Sequence, residues 1–532
     1  MKIQAMKPIK TTKNVENISS STEEEQPLSP VARMFHESDS TVYIIVIIGF
    51  ETQLNPEVIK ANLGHTLLSQ PRFCSLQASS VSFLPFFFIN TPASLKYSKQ
   101  LRSVPCGYEE GASSNHEKRG GELKWVRTEV DLDNHVKVPT LDPNMDSPDM
   151  FVEDYVSNLS KTGISMSIPM WDLHLLNIKT SDAESVGVLR VHHSLGDGTS
   201  LMTLFMSCTR KLSDPEALPS LPMNKKMKHG GSSGGLLQYF IKLFSVLLIY
   251  WNTFVDVVMF FITTFYLDDT KTPLKGPLGV ASTPRRIVHR TLNLEDVKLV
   301  KNAMNATVND VMVGVTEAAL SRNLNRKYGK IKKEAGEAEG HNNLPKNIRL
   351  RATHFVNLRP YLVKEDVSEM IKSSSKVKLG NLIGYVIFPF TIGLRKDVLD
   401  HVRSAKATGK RKKASLEALY TYLMAKFFIK FFSAKWASFP TQTTLWYSNV
   451  PGPQEEVTCF GHQVSYVAPT CYGQPNALMF HVVSYVNKMK IIVSVDEGVV
   501  PDPHQLCDDM EESLKLIKNA VIEQGLVDCY DY

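Results

Sequence analysis

Short apolar runs alternate along the chain with longer segments carrying apolar residues every three or four positions, and the two periods mark strands and helices. The run Val42–Gly49 (VYIIVIIG) predicts a buried strand, and Pro56–Leu68 follows it with helical spacing. Leu123–Arg127 and Val186–His193 read as further strands, with helices near 147–160 and over Thr199–Arg210. The pattern returns from about Pro284. Helices are predicted at Leu294–Met304, Val308–Tyr328 and Glu417–Phe432, strands at 353–358, 382–390, 443–450, 478–486 and 490–495, and a closing helix over about 503–524. Strands and helices interleave in both halves, without the strict alternation of a doubly wound sheet.

Three stretches break the pattern. Residues 1–26 are polar and read as a disordered tail with no secretory signal. Residues 79–119 join an aromatic cluster to a Ser/Gly-rich run with no period, which suits a long surface insertion, or else a lid. Residues 211–235 are rich in Pro, Lys and Gly and form a linker. The expected domains are therefore a first lobe over 27–210, a linker region over 211–283 and a second lobe over 284–528.

Within that linker region, 243–267 is apolar and long enough to span a bilayer. Ser245, Asn252, Asp256 and Thr263 fall on one helical stripe, which suits a helix lying in a membrane interface or docked on its own protein. If both lobes build one site, a single span would separate them, so monotopic attachment is expected. Lys225, Lys226 and Lys228 on one flank, and Lys271, Lys275, Arg285 and Arg286 on the other, would assist it.

Composition narrows the classes further. A chain of 532 residues exceeds one ordinary core. A net charge of +6 is no nucleic-acid signature. Seven scattered cysteines without a CxxC pair fit neither a disulfide framework nor a zinc site, so no metal is expected.

The sharpest chemical feature is His192-His193-Ser-Leu-Gly-Asp197-Gly198, directly after a strand. Neighbouring strand side chains face opposite sides, so one histidine can reach a cavity while the other packs behind it. Neutral imidazole suits base catalysis. Asp197 would hold the turn through backbone or a distant arginine, and Gly198 would take a backbone conformation barred to other residues. Ser194 invites a nucleophile reading, but GxSxG is absent. The basic run Arg403, Lys406, Lys410–Lys413 reads as a solvated helix face, or as an attractor for anionic groups.

HHSLGDG resembles the HHxxxDG motif of the chloramphenicol acetyltransferase-like superfamily. PLSP (27–30), PMWDLHLL (169–176), NDVMVGV (309–315), VNLRP (356–360), GNLIGY (380–385) and SNVPGP (448–453) narrow the resemblance to the plant wax ester synthase/diacylglycerol acyltransferase family. The resemblance implies a two-lobed α/β fold with mixed sheets and a channel between the lobes. It implies long-chain O-acyl transfer from acyl-CoA, a substrate and not a cofactor, to a fatty alcohol or diacylglycerol. It makes His193 the general base and Asn309 a candidate oxyanion donor, with His192, Asp197 and Gly198 structural. Asp310, Ser448, Asn449, Pro451 and Gly452 become channel candidates. The membrane surface is an expected partner, nucleic acid is not, and the endoplasmic reticulum, cytosolic side, is the expected place, with the plasma membrane as the alternative. Two other readings stay open: a non-catalytic lipid-binding protein on the same scaffold, and a soluble alcohol acyltransferase of specialised metabolism. The latter usually carries DFGWG, which this sequence lacks.

Overall fold

The computed structural model describes residues 26–35, 41–79, 123–220, 236–338, 340–359, 379–432 and 439–526. The first half runs β1 (Gln26–Pro27), α1 (Pro30–Met34), β2 (Tyr43–Phe50), α2 (Pro56–His65), β3 (Ser75–Ser79), β4 (Leu123–Arg127), α3 (Leu132–His135), β5 (Val136–Lys137), α4 (Pro148–Leu159), β6 (Trp171–Leu176), β7 (Ser185–His192), α5 (Gly198–Ser207) and β8 (Thr209–Lys211). Helix α6 (Leu236–Phe265) follows. The second half runs β9 (Arg286–Asn293), α7 (Leu294–Ala303), α8 (Val308–Glu334), β10 (Leu350–Asn357), β11 (Ile383–Phe390), α9 (Leu399–Lys413), α10 (Glu417–Phe431), β12 (Leu445–Pro451), β13 (Val457–Cys459), β14 (His462–Tyr472), β15 (Leu478–Tyr485), β16 (Lys488–Val495) and α11 (Pro503–Glu523).

Two mixed sheets carry the lobes, as the resemblance implied. The first has seven strands in the order β5-β6-β7-β2-β14-β13-β8, and the second has six in the order β11-β10-β12-β15-β16-β9. The expected division at 284 is crossed. Strands β13 and β14 come from the second half yet complete the first sheet, with β14 antiparallel to β2 from Val464 opposite Phe50 to Tyr472 opposite Tyr43. The physical reason is burial: β2 is apolar on both faces, and a partner on each side satisfies its backbone and removes an open edge. The tail and nearly all of 79–119 lie outside the described residues. At the border of that segment Ser79 pairs with Leu123.

Helix α6 docks by its polar stripe, the reverse of an ordinary surface helix. Asn252 donates to the Ala414 carbonyl (3.0 Å), and Asp256 accepts from Arg411 (2.8 Å) and Lys412 (2.9 Å) on α9. Lys412 also bonds Glu417 (2.5 Å), completing a buried charge cluster. Thr263 meets Arg351. Ser245, the fourth stripe residue, bonds within its helix, to the Ile241 carbonyl. The apolar side faces outward, with Leu247 57%, Trp251 63% and Phe254 60% exposed.

These contacts correct two readings of basic residues. The run at 403–413 is not simply a solvated face: Lys412 is buried, and Arg411 and Lys412 anchor α6. On the α6 flank, Arg285 is buried on the carbonyls of Val280 and Gln474, Arg286 pairs with Glu153 and Asp154, and Lys275 bonds the carbonyls of Thr441 and Thr443. Their charges serve the fold.

Candidate active site

The residues on one face of β7 are 187, 189, 191 and, by continuation, 193. His193 N–H donates to the Val42 carbonyl (2.9 Å), extending the ladder by one residue, so the imidazole falls on the cavity side of the sheet. It lines a cavity of about 210 Å³. His192 turns the other way and is fully buried. Its Nδ1 lies 2.6 Å from Ser194 Oγ, which also accepts from Gln77, and its ring meets Tyr43 edge-on. That engagement keeps the Ser194 hydroxyl inside the scaffold and away from nucleophilic work.

Helix α1, from the PLSPVARMF stretch, places Phe35 flat on the His193 ring with centroids 3.9 Å apart. Burial pushes the His193 pKa down to about 4, opposed by its own carbonyl, by Asp197 and by Asn381. The ring is therefore neutral at physiological pH, the form a base requires. A group that works deprotonated loses activity as pH falls through its pKa. The acid limb of kcat/KM is thus expected well below 6.5, toward 4, and a pH–rate profile of the wild-type enzyme checks it; a limb at 6.5 or above would contradict this environment.

The turn after His193 is held by the other lobe. Asp197 caps α5 by accepting from Ser200 N–H (2.9 Å). It also takes Arg359 Nη1 on both oxygens (2.9 and 3.0 Å) and the Leu382 N–H (2.8 Å). Asn381 donates to the carbonyls of His193 (3.0 Å) and Ser194 (3.3 Å). Arg359 belongs to VNLRP, and Gly380, Asn381 and Leu382 to GNLIGY, so these two sequence motifs clamp the histidine turn. The distant arginine anticipated for Asp197 is Arg359. Its identity was hidden because 162 residues separate the pair.

The expectation for Gly198 needs correction. Its φ is not positive; a side chain there would meet Val450 Cγ2 at 3.3 Å, so glycine lets the start of α5 approach β12. Ser448 and Asn449 line the cavity as expected, whereas Asn309, Asp310, Pro451 and Gly452 do not. Asn309 lies behind Asn449 and accepts from its side-chain amide (3.2 Å). Asp310 forms a capping box with Thr307 at the start of α8, the role its type favours there. Pro451 ends β12, and Gly452 is pressed against the Ser484 carbonyl.

His481 was missed by the sequence reading. It lies on β15 beside Ser448, lines the cavity, and is held neutral, near 3, by burial and by His193. A histidine within an apolar strand run, Leu478–Tyr485, was the available signal.

Comparison with known proteins settles the family. Residues 114–312 match the wax ester synthase/diacylglycerol acyltransferase catalytic domain, and residues 379–518 match the WS/DGAT C-terminal domain. Wax ester synthase/diacylglycerol acyltransferase 11 of Arabidopsis thaliana is 42% identical over 514 residues, covering 95% of this chain and 97% of that protein. The chain belongs to the wax ester synthase/diacylglycerol acyltransferase family. Wax ester synthase/diacylglycerol acyltransferase 4 of Arabidopsis thaliana is 41% identical over 525 residues, covering 96% of this chain and 93% of that protein. As a member of this family the chain is an acyltransferase. Its fold is shared with a wax ester synthase/diacylglycerol acyltransferase from Marinobacter aquaeolei VT8 (TM-score 0.53, 17% identity, 93% of this chain and 99% of that one). The first condensation domain of the calcium-dependent antibiotic synthetase has the same fold (TM-score 0.53, 10% identity, 94% and 97%).

Proposed function

We propose that this acyltransferase moves a long-chain acyl group from acyl-CoA to a fatty alcohol, and also to diacylglycerol, at a membrane surface, with His193 as general base. The observation that carries the reading is a neutral imidazole in the wall of a largely apolar cavity, with its turn clamped by the second lobe. His193 takes the hydroxyl proton as the alcohol oxygen attacks the thioester carbonyl. The tetrahedral oxyanion accepts a hydrogen bond, for which Asn449 is placed in the wall and Asn309 holds it from behind. The C–S bond then breaks, and the imidazolium protonates the departing thiolate. No step calls for a metal or a cofactor.

Offering labelled palmitoyl-CoA with hexadecanol or with diacylglycerol, separately, tests the acceptor. Ester from hexadecanol is expected to dominate; no ester from either would sink the reading.

Membrane attachment is supported by the inverted docking of α6. Residues Tyr239–Phe265 are long and apolar enough to cross a bilayer, but Asn252, Asp256 and Thr263 bind the second lobe along the helix. The outward face continues onto α10 through exposed Leu423, Phe427 and Phe431. A helix held flat in this way suits the interface, with the endoplasmic reticulum as the proposed site and the active site on its cytosolic side. Trp251→Glu with Phe254→Glu is expected to abolish flotation with phosphatidylcholine vesicles at unchanged Tm. Flotation equal to wild type would remove this face as the anchor.

A further inference from the structure

The cavity beside His193 continues as a slot under one face of the seven-stranded sheet. Its floor is a series of cross-strand rows. Leu189 stands opposite Val46, which stands opposite Pro469; Gly187 stands opposite Ile48, which stands opposite Val467. Ile59 and Leu63 of α2 and Leu201 and Phe205 of α5 line it from the helices. All of these contacts are apolar. Asp197, Asn357, Ser448, Asn449 and His481 stand with His193 in the wall, and the one hydroxyl among the described lining away from them is that of Thr66, by Cys208. A slot polar at one end and apolar along its length fits an alkyl chain with its reacting group at the polar end.

The next row brings an aromatic ring into the slot. Phe50 sits one row beyond Ile48, opposite Ser185, and its ring folds back over Gly187, where a Cβ would lie 3.1 Å from Phe50 Cε2. The missing side chain at 187 is what lets the ring lie across the slot.

We infer that Phe50, lying over Gly187, sets the length of one substrate alkyl chain at about 16 carbons. Six residues separate His193 from Gly187, about 20 Å at the strand rise of ~3.3 Å. A zigzag chain of ~1.5 Å bonds at ~111° advances about 1.25 Å per bond, which gives the carbon count. The inference rests on His193 marking the reacting end. The slot takes an alkyl chain from either the acyl group or the alcohol, and the test separates the two.

Full-length enzyme is assayed in microsomes of a host without ester-forming activity. One arm uses an acyl-CoA series from 12 to 22 carbons against hexadecanol, roughly bracketing the length inferred from the strand rise, and the other an alcohol series of the same span against palmitoyl-CoA. Phe50→Ala opens the end, and Val46→Phe blocks the slot two rows above it. Phe50→Ala is expected to raise the preference for 20 over 16 carbons at least about ten-fold in one arm. Val46→Phe, four residues of strand from His193, is expected to move the optimum in the same arm down to the shortest chain of the series, about 12 carbons or fewer. A shift in either arm identifies the chain that occupies the slot. Unmoved profiles in both arms, from active variants with wild-type Tm, overturn the stop. Because the readout is a ratio of chain lengths, it stays separate from the base role: ester formation surviving His193→Ala would remove the base while leaving these profiles measurable.

Discussion

His193→Ala is expected to lower ester formation by about 10²–10⁴-fold, the range that a positioned general base supplies. At about 1.4 kcal/mol per factor of ten this is a barrier increase of ~3–5 kcal/mol. The loss should fall on kcat more than on KM, because the proton moves only as the alcohol attacks. Stability is a separate matter, since the imidazole stacks on Phe35 and its removal leaves a gap in that contact. His193→Gln retains much of the volume without the basicity, so the two variants divide packing from proton transfer. Steady-state rates with Tm measured alongside decide it. Activity within ten-fold of wild type in both variants would end the base assignment.

The second large effect is expected at Arg359. This guanidinium is 6% exposed and its partner Asp197 1%. Arg359→Met leaves a buried carboxylate with only the backbone N–H groups of Ser200 and Leu382. Breaking a buried pair from one side typically costs about 3–5 kcal/mol. Arg359 also donates to Ser200 Oγ (2.6 Å) and the Gly380 carbonyl (3.0 Å), so activity should fall with stability as the histidine turn loosens. Arg359→Lys retains the charge but not the fork that spans these acceptors, and it should recover only part of the loss. Denaturant unfolding gives the number, and a cost under about 1 kcal/mol would mean that the pair does not hold the lobes together. The double variant Asp197→Leu/Arg359→Met should cost less than the sum of the single changes, because no uncompensated charge then remains.

Much of the second lobe was legible because its elements carry a single period. Helix α8 runs Val308–Glu334 where Val308–Tyr328 was predicted, and α11 runs Pro503–Glu523 where about 503–524 was predicted. The missed strands have a common cause. In β14, HQVSYVAPTCY mixes Gln, Ser, Pro and Thr among its apolar residues, so neither an alternating nor a continuous apolar pattern stands out. The burial of Thr470 there follows from tertiary pairing with Ile45 of β2, and Ser465, in the bulge between Val464 and Tyr466, is buried beside Gly49. In β9 the reason is similar: RIVHRTLN reads as charged, yet it is an edge strand beside β16 whose arginines reach acidic partners elsewhere in the fold.

At the site the same division holds. Strand parity in the sequence alone separated His192 from His193, and the structure places His193 on the cavity side and His192 in the scaffold. The placement of Asn309 and Asp310 was not available from their spacing. A helix-starting Asn-Asp pair suits a channel wall or a cap, and only the position of β12 puts Asn449 in the wall with Asn309 behind it.

The sequence by itself determined the family, the two-lobed class, the reacting histidine as a candidate and the polar stripe on α6, because each depends on local order or on fixed spacing. The tertiary structure decided which strand completes which sheet, which arginine holds Asp197, which face of α6 meets the protein and which ring lies over Gly187. Those are pairings between residues far apart in the chain. Local spacing restricts which side of its own element a residue occupies, but the partner across the gap is chosen by how the whole apolar surface is buried at once.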